Sequence, residues 1–280
     1  MQSTCVVKNS RIWIIAITLV VMWVALTGCT PLTKGGSNIL TQNLSVALGE
    51  ATAASYDFDA ATGNITIDTL PSSGQLLVGG TLEYNEGREP IQTVGMNNDL
   101  YTVAVSSDSV RIAGFGFAWQ DCIVETNWQI QLNPEPASDI TAYSGAGNIN
   151  LNLAGMVLMH LAAETGGGNM DVVLPDNAFN LSAAVKSGAG NVTVALGSGM
   201  TGSDSLLATS GAGNVEIRLP VGVAALIHAS TGSGKLMIDP QFVQIDDQTY
   251  QSAGYANAAD KIELTLETGA GNVSVITMDN

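Results

Sequence analysis

The pentapeptide Ser-Gly-Ala-Gly-Asn, first met at Ser144, recurs identically or nearly so to the end of the chain. It returns at Thr165–Asn169, Ser187–Asn191, Ser210–Asn214, Thr231–Lys235 and Thr268–Asn272, and its first glycines are 21, 22, 23, 21 and 37 residues apart. Four nearly regular steps and a fifth that is regular plus an insertion mark a structural repeat. With the first glycine as position zero, the positions four and six residues later are apolar in every copy: Ile149 and Leu151, Met170 and Val172, Val192 and Val194, Val215 and Ile217, Leu236 and Ile238, Val273 and Val275. The positions five and three residues before it are apolar too, from Ile140 and Ala142 through Leu264 and Leu266. Period-two alternation on both sides of a glycine pair reads as strand, tight corner, strand.

A unit of about 21 residues with two short strands cannot bury its own apolar face, whereas units stacked ~4.8 Å apart share one core. The sequence therefore predicts an all-β, single-domain β-solenoid of stacked strand-turn-strand repeats. The two glycines of each corner are expected to take positive φ or to stand where a Cβ has no room. The asparagine that follows in five of six copies has two uses, bonding its own turn or forming a ladder with the asparagine of the next rung. Lys235 in the same place favours local bonding.

The long step contains an insertion at about 240–254, with Phe242, Tyr250 and Tyr255 in or beside it. It is expected to cover the end of the stack, whose last rung otherwise leaves an open edge; its three aromatics also make it the candidate binding loop. Before the regular repeats, which span 137–280, residues 40–136 read as an irregular β-region that seeds the stack. Within it, Ala61 aligned to position zero puts Gly63, Asn64, Ile65 and Ile67 in register, which suggests one earlier rung. Further strands are expected at Gly74–Tyr84, Leu100–Val105, Ser109–Ile112 and Asn127–Leu132.

The N-terminus reads as an address. Lys8 and Arg11 precede an apolar run from Ile12 to Leu26, short for a membrane span and right for a signal-peptide core. It ends in Leu26-Thr27-Gly28-Cys29, which resembles the lipobox of bacterial lipoproteins. The expectation is a signal peptide over 1–28, lipid on Cys29, a Pro/Gly/Ser-containing tether over 29–39 and an extracytoplasmic domain anchored to the cell membrane. Once Cys5 is removed with the signal and Cys29 is acylated, Cys122 remains alone and no internal disulfide is available.

The chain carries a formal charge of -16; without Lys8 and Arg11, seven basic residues face 25 acidic ones, or -18. Such a surface repels phosphate backbones, so no nucleic-acid partner is expected. No cofactor or metal is expected either. The glycine corners lie between strands and lack the helix and Gly-Lys-Ser/Thr of a phosphate loop, a judgement that extends to Gly232-Ser233-Gly234-Lys235. They also lack the spaced aspartate of calcium-binding nonapeptides. His160 and His228 fall at isolated outward positions and suggest neither a metal site nor a base. The one constellation of catalytic type is Asp171 and Glu216, on the same face two rungs apart with Arg218 beside Glu216, a backbone separation of roughly 10 Å. An intervening Thr193 and no aromatic platform make these surface charges, and no catalytic residue is assigned.

Ser-Gly-Ala-Gly-Asn followed by alternating apolar residues resembles the toast-rack families of bacterial envelope proteins, which include adhesin-like domains and the C-terminal domain of LiaF-like cell-wall-stress proteins. The similarity is best from Trp128 to Asn280, includes the ending at Gly254–Glu263, and extends to Tyr56–Tyr84. It implies a β-solenoid outside the membrane, associated with adhesion or envelope stress and without an assigned catalytic site. The expected function is thus a lipid-anchored, non-catalytic binding or structural protein whose partners are the membrane through Cys29 and a cell-wall glycan, surface glycan or envelope protein. A β-helix enzyme acting on surface polysaccharide is the alternative.

Overall fold

The computed structural model describes residues 38–97, 99–107 and 126–278. Among these, the strands in chain order begin with β1 (Ile39–Ala47), β2 (Ala53–Ala60), β3 (Asn64–Thr69), β4 (Leu76–Asn85), β5 (Ile91–Asn97), β6 (Leu100–Ser106) and β7 (Asn127–Leu132). There follow β8 (Ala137–Ser144), β9 (Ile149–Asn152), β10 (Leu158–Thr165), β11 (Met170–Val173), β12 (Ser182–Ala189), β13 (Val192–Ala195), β14 (Ser203–Ala212) and β15 (Val215–Pro220). The chain closes with β16 (Ala225–Ser233), β17 (Leu236–Ile238), β18 (Phe242–Gln244), β19 (Thr249–Ser252), a 3-10 turn at Tyr255–Asn257, β20 (Lys261–Ala270) and β21 (Val273–Met278). The signal peptide, Cys29, nearly all of the expected tether, the expected strand at Ser109–Ile112 and Cys122 lie outside the described residues.

Each repeat gives its strand before the glycines to one long sheet and its strand after them to a second. The pre-glycine strands pair in parallel register, Ala142 beside Ala163, Val185, Ala208, Leu266 and Ala229. The post-glycine strands do the same, Leu151 beside Val172, Val194, Ile217, Val275 and Ile238. Alternate residues turn inward, so Ile149, Val192, Ile217, Val185, Leu264 and Leu266 are fully buried between the sheets. Burial of each such aliphatic side chain contributes about 1.5–3 kcal/mol, which no rung obtains alone. The fold is the all-β solenoid that the repeat predicts.

The stacking order departs from the sequence order at both ends. In space the rungs run β6–β7, β2–β3, β8–β9, β10–β11, β12–β13, β14–β15, β20–β21, β16–β17. The last copy in sequence therefore slots between the two that precede it, and Gly269 packs on Gly211 while Gly232 packs on Gly269. The front of the chain is less irregular than expected. It holds the rung anticipated at Gly63 and a second, β6–β7, whose Asn127 pairs with Asn64. Both sheets pass without a break from these rungs into the regular ones through β2 beside β8 and β3 beside β9.

The corners show why the pentapeptide is written as it is. Built on the second glycine of a copy, a Cβ meets the carbonyl oxygen of the equivalent glycine one rung back: at Gly168, with φ of 152°, the distance is 2.1 Å. The first glycine is excluded from carrying a side chain by contact alone, as at Gly188, 2.4 Å from the Gly166 oxygen. The Ser or Thr that opens each copy donates its hydroxyl to the backone carbonyl of the second glycine on the rung before, as Ser187 Oγ does to Gly168 O at 2.9 Å.

The asparagines form the ladder, not the local bond that Lys235 had favoured. Asn169 N–H donates to Asn148 Oδ1, Asn191 to Asn169, Asn214 to Asn191 and Asn272 to Asn214, at 2.8–2.9 Å. Lys235 is tolerated because its rung is outermost. Its backbone N–H donates to Asn272 Oδ1 at 3.0 Å, and no further rung needs an acceptor from its side chain.

Antiparallel strands finish the sheets. Beyond β7 come β4 and then β1; beyond β6 comes β5; beyond β16 come β19 and then β18. The insertion thus adds two antiparallel strands beside β16 at the C-terminal end of the stack, while β17 stays outermost in the other sheet.

Candidate functional site

The outer face of the post-glycine sheet carries a row of side chains, one from each strand from β4 to β17. Register places Thr81 beside Gln129, then Thr66, Asn150, Asp171, Thr193, Glu216, Ser274 and Met237. Every member before Met237 can donate or accept a hydrogen bond. At one end the row opens into a depression of about 290 Å³ lined by Thr66, Asp68, Gly80, Thr81, Gln129, Ile130 and Gln131.

Local sequence explains this hollow. In Asn127–Leu132 the inner residues Trp128, Ile130 and Leu132 are buried, which turns Gln129 and Gln131 outward. The strand sits where pairing changes, parallel to β3 on one side and antiparallel to β4 on the other. At that junction Gly80 has φ of 150°, and a Cβ there would lie 2.2 Å from the Gln129 carbonyl oxygen, so the floor stays bare. Two amides, two hydroxyls and the Asp68 carboxylate surround it. The volume approaches the lower bound of ligand pockets, about 300 Å³, but the lining is polar where most such pockets are apolar. It suits a ligand rich in hydroxyls.

The residues singled out from sequence are dispersed over the molecule. Asp171 and Glu216 do face the same side with Thr193 between them, and Glu216 is held by Arg218, Oε1 to Nη2 at 2.8 Å. His160 is exposed, its Nδ1 2.8 Å from Asp139 Oδ1 on the neighbouring rung. His228 Nδ1 lies 3.3 Å from Thr249 Oγ1 and its Nε2 3.7 Å from a Glu263 oxygen. No cluster of three or more His, Cys, Asp or Glu able to hold a metal occurs among the described residues.

The aromatics of the insertion have separate fates. Phe242 is 6% exposed and belongs to the core, and Tyr250 packs half-buried against it. Tyr255 sits in the 3-10 turn with Lys261 Nζ 5.7 Å from its ring centroid, and partial burial with the Glu263 charge pushes its hydroxyl pKa up. Of the three, Tyr255 has a cation against its ring.

One buried acid falls outside the row. Asp204 points inward where neighbouring rungs place Leu181 and Ile262, accepts the Leu181 N–H on Oδ1 at 2.7 Å, and leaves Oδ2 without a partner. Burial pushes its carboxyl above the ordinary 3.8; the Leu181 hydrogen bond opposes this and the Asp260 charge adds to it.

Sequence reading passed over Thr66, Asp68, Thr81, Gln129 and Gln131. Their outward direction was visible from alternation, but their convergence depends on β7 lying between β3 and β4, which no local pattern states.

Comparison with known proteins gives three findings. The family profile described as the N-terminal domain of toast_rack, DUF2154, matches residues 34–195. No curated protein matches the sequence. Among solved structures, a protein provisionally named a cell adhesion protein, from Clostridium sporogenes ATCC 15579, superposes with a TM-score of 0.63 at 17% identity, covering 86% of this chain and 100% of its own. A provisionally named adhesin from Bacteroides fragilis NCTC 9343 aligns over 88% of this chain and 100% of its own at 12% identity, with a TM-score of 0.37. The first likeness concerns the fold; the second carries no argument.

Proposed function

Because the chain belongs to the toast-rack family, whose profile matches more than half of it, we propose that it is a non-catalytic, adhesin-like binding module of the bacterial cell envelope. The name of the Clostridium sporogenes protein agrees with this class. The observation that supports it is the hydrogen-bonding row from Thr81 to Ser274 on one continuous sheet, ending in the amide- and hydroxyl-lined hollow at Gln129 and Gln131. A repetitive polar strip matches an extended, hydroxyl-rich polymer, and the strongly acidic chain disfavours phosphorylated ones. The proposed ligand is therefore a neutral cell-wall or surface glycan.

Lipid on Cys29 would hold the domain at the outer side of the cell membrane, and mass spectrometry of the mature N-terminus tests that part. An unmodified Cys29 removes the anchor. For the ligand, the full chain is applied to immobilised cell-wall and capsular glycans. Retention that falls on joint Gln129→Ala and Gln131→Ala substitution supports the site. Retention unchanged by that pair moves binding elsewhere, with Tyr255 the next residue to vary, and retention on no glycan refutes the proposal.

A further inference from the structure

The two ends of the stack are finished differently. At the C-terminal end the edge strands β17 and β18 are three residues each, bracketed by Lys235, Asp239, Asp246 and Asp247. At the other end the edges are long: β1 has nine residues and β5 has seven. Neither contains a charged residue or a proline. Edge strands of soluble proteins are ordinarily shortened, charged, bulged or covered, because a free row of N–H and C=O groups is a template for another strand. In a chain with 34 charged residues, two long neutral edges among the described residues stand out, β1 departing from regular register only at its end, between Val46 and Ala47.

Side-chain direction at this end adds an independent observation. Val94 pairs with buried Val103, and Met96 with half-buried Tyr101, so both project to the core side of their sheet. Yet they are 51% and 68% exposed. The opposite edge is close, since Gln92 Nε2 reaches the Asn43 carbonyl oxygen of β1 at 3.5 Å, and on it Leu40 is 40% exposed. The core has apolar residues for one more layer, and the described residues contain no strand to supply it.

We propose that this end is an interface where two copies of the chain join, β1 and β5 each meeting a strand of the partner so that both sheets continue across a two-fold axis. The occupant follows from charge. Two molecules this acidic repel over most of their surfaces, whereas the four terminal strands β1, β4, β5 and β6 contain a single charged residue, Glu83. A self-complementary patch of neutral edge and uncovered aliphatics meets the requirement of a symmetric dimer. The partner strands satisfy the free backbone groups and cover Val94, Met96 and Leu40.

The experiment uses the full chain in bacterial membranes with single cysteine substitutions. In a symmetric antiparallel pair Asn43, the middle of β1, stands opposite its own copy, with Cβ atoms about 4.5–5.5 Å apart, near disulfide range. Val94 is the middle of β5. Mild oxidation of Asn43→Cys or Val94→Cys is expected to give a dimer above the background of the unsubstituted chain, and Met237→Cys on β17 is expected to give none. Adding Thr41→Lys and Thr93→Lys, both on the outer faces, is expected to abolish the dimer while the melting transition stays in place. The proposal is overturned if neither cysteine cross-links, if Met237→Cys links equally, or if the dimer survives the lysines. It is also overturned if Asn43→Cys is shielded from a water-soluble thiol reagent by lipid bilayer and not by protein concentration, which assigns the face to the membrane. None of these outcomes depends on which glycan the outer face binds.

Discussion

Gly167 and Gly168 are adjacent in one corner, and the structure sets opposite outcomes for the same substitution at each. At Gly168 an alanine Cβ falls 2.1 Å from the Gly147 carbonyl oxygen and 2.5 Å from its carbon, on a backbone with φ of 152°. Ordinary contact begins near 3.4 Å, so the rungs must part by about 1 Å where stacking allows ~4.8 Å. Parting them strains two bridges between the same two rungs, Gly147 N–H to Gly167 O at 2.8 Å and Gly166 N–H to Ser144 O at 2.9 Å. Two weakened hydrogen bonds at ~1 kcal/mol each, added to about 1–3 kcal/mol for the backbone conformation, give a loss of roughly 3–5 kcal/mol. That is a large part of the ~5–15 kcal/mol by which domains are stable. Gly167 has no atom within 4 Å of the built Cβ, and four other copies already carry alanine there. Gly167→Ala is expected to leave stability unchanged or raise it by about 0.4–1 kcal/mol through the unfolded chain. Urea unfolding of the two variants beside the parent chain measures both. Equal effects of Gly167→Ala and Gly168→Ala would falsify the account of the corner.

Other expectations concern the ladder, the buried acid and the paired carboxylates. Asn191→Ala strips the acceptor from the solvent-accessible Asn214 N–H and should cost ~0.5–1.5 kcal/mol in chemical denaturation, whereas Lys235→Ala, whose side chain serves no rung, should cost a few tenths. Asp204 keeps its proton more readily when folded than unfolded, so its contribution is present in full below pH 3.8 and is lost as pH rises through the raised folded value. Asp204→Asn retains the Oδ1 acceptor for Leu181, and melting followed from pH 4 upward should show a smaller decline than the parent; an identical pH profile contradicts the burial argument. Asp239 has the opposite sign: hydrogen bonds from the Thr277 hydroxyl and the Gln241 N–H hold its carboxyl low, and the stability it lends is present above 3.8 and lost as pH falls through the lowered folded value, a loss absent from Asp239→Asn. Finally, Asp171→Asn and Glu216→Gln should change no polysaccharide-cleaving activity, and turnover abolished by either would restore the enzyme alternative.

The repeat, its two strands, the direction of each side chain and the need for glycine at the corner were all legible in the sequence. Strand alternation is local: whether Ile217 points in and Glu216 out is set by residues two apart, whatever lies beside them. The irregular front yielded less, because Asn127 follows Thr126 where the regular copies place a glycine, and the rung β6–β7 lost its signature there. The order of the rungs was decided only in three dimensions. Every rung presents nearly the same edges, so alternation cannot say that β20–β21 enters between β14–β15 and β16–β17, or that β7 lies between β3 and β4. That order turned Lys235 from an argument against the asparagine ladder into the mark of its last step. It also gathered Thr66, Thr81, Gln129 and Gln131 around one hollow and placed β1 and β5 outermost among the described strands, since lateral neighbours in a stack are chosen by competition among equivalent edges and not by adjacency in the chain.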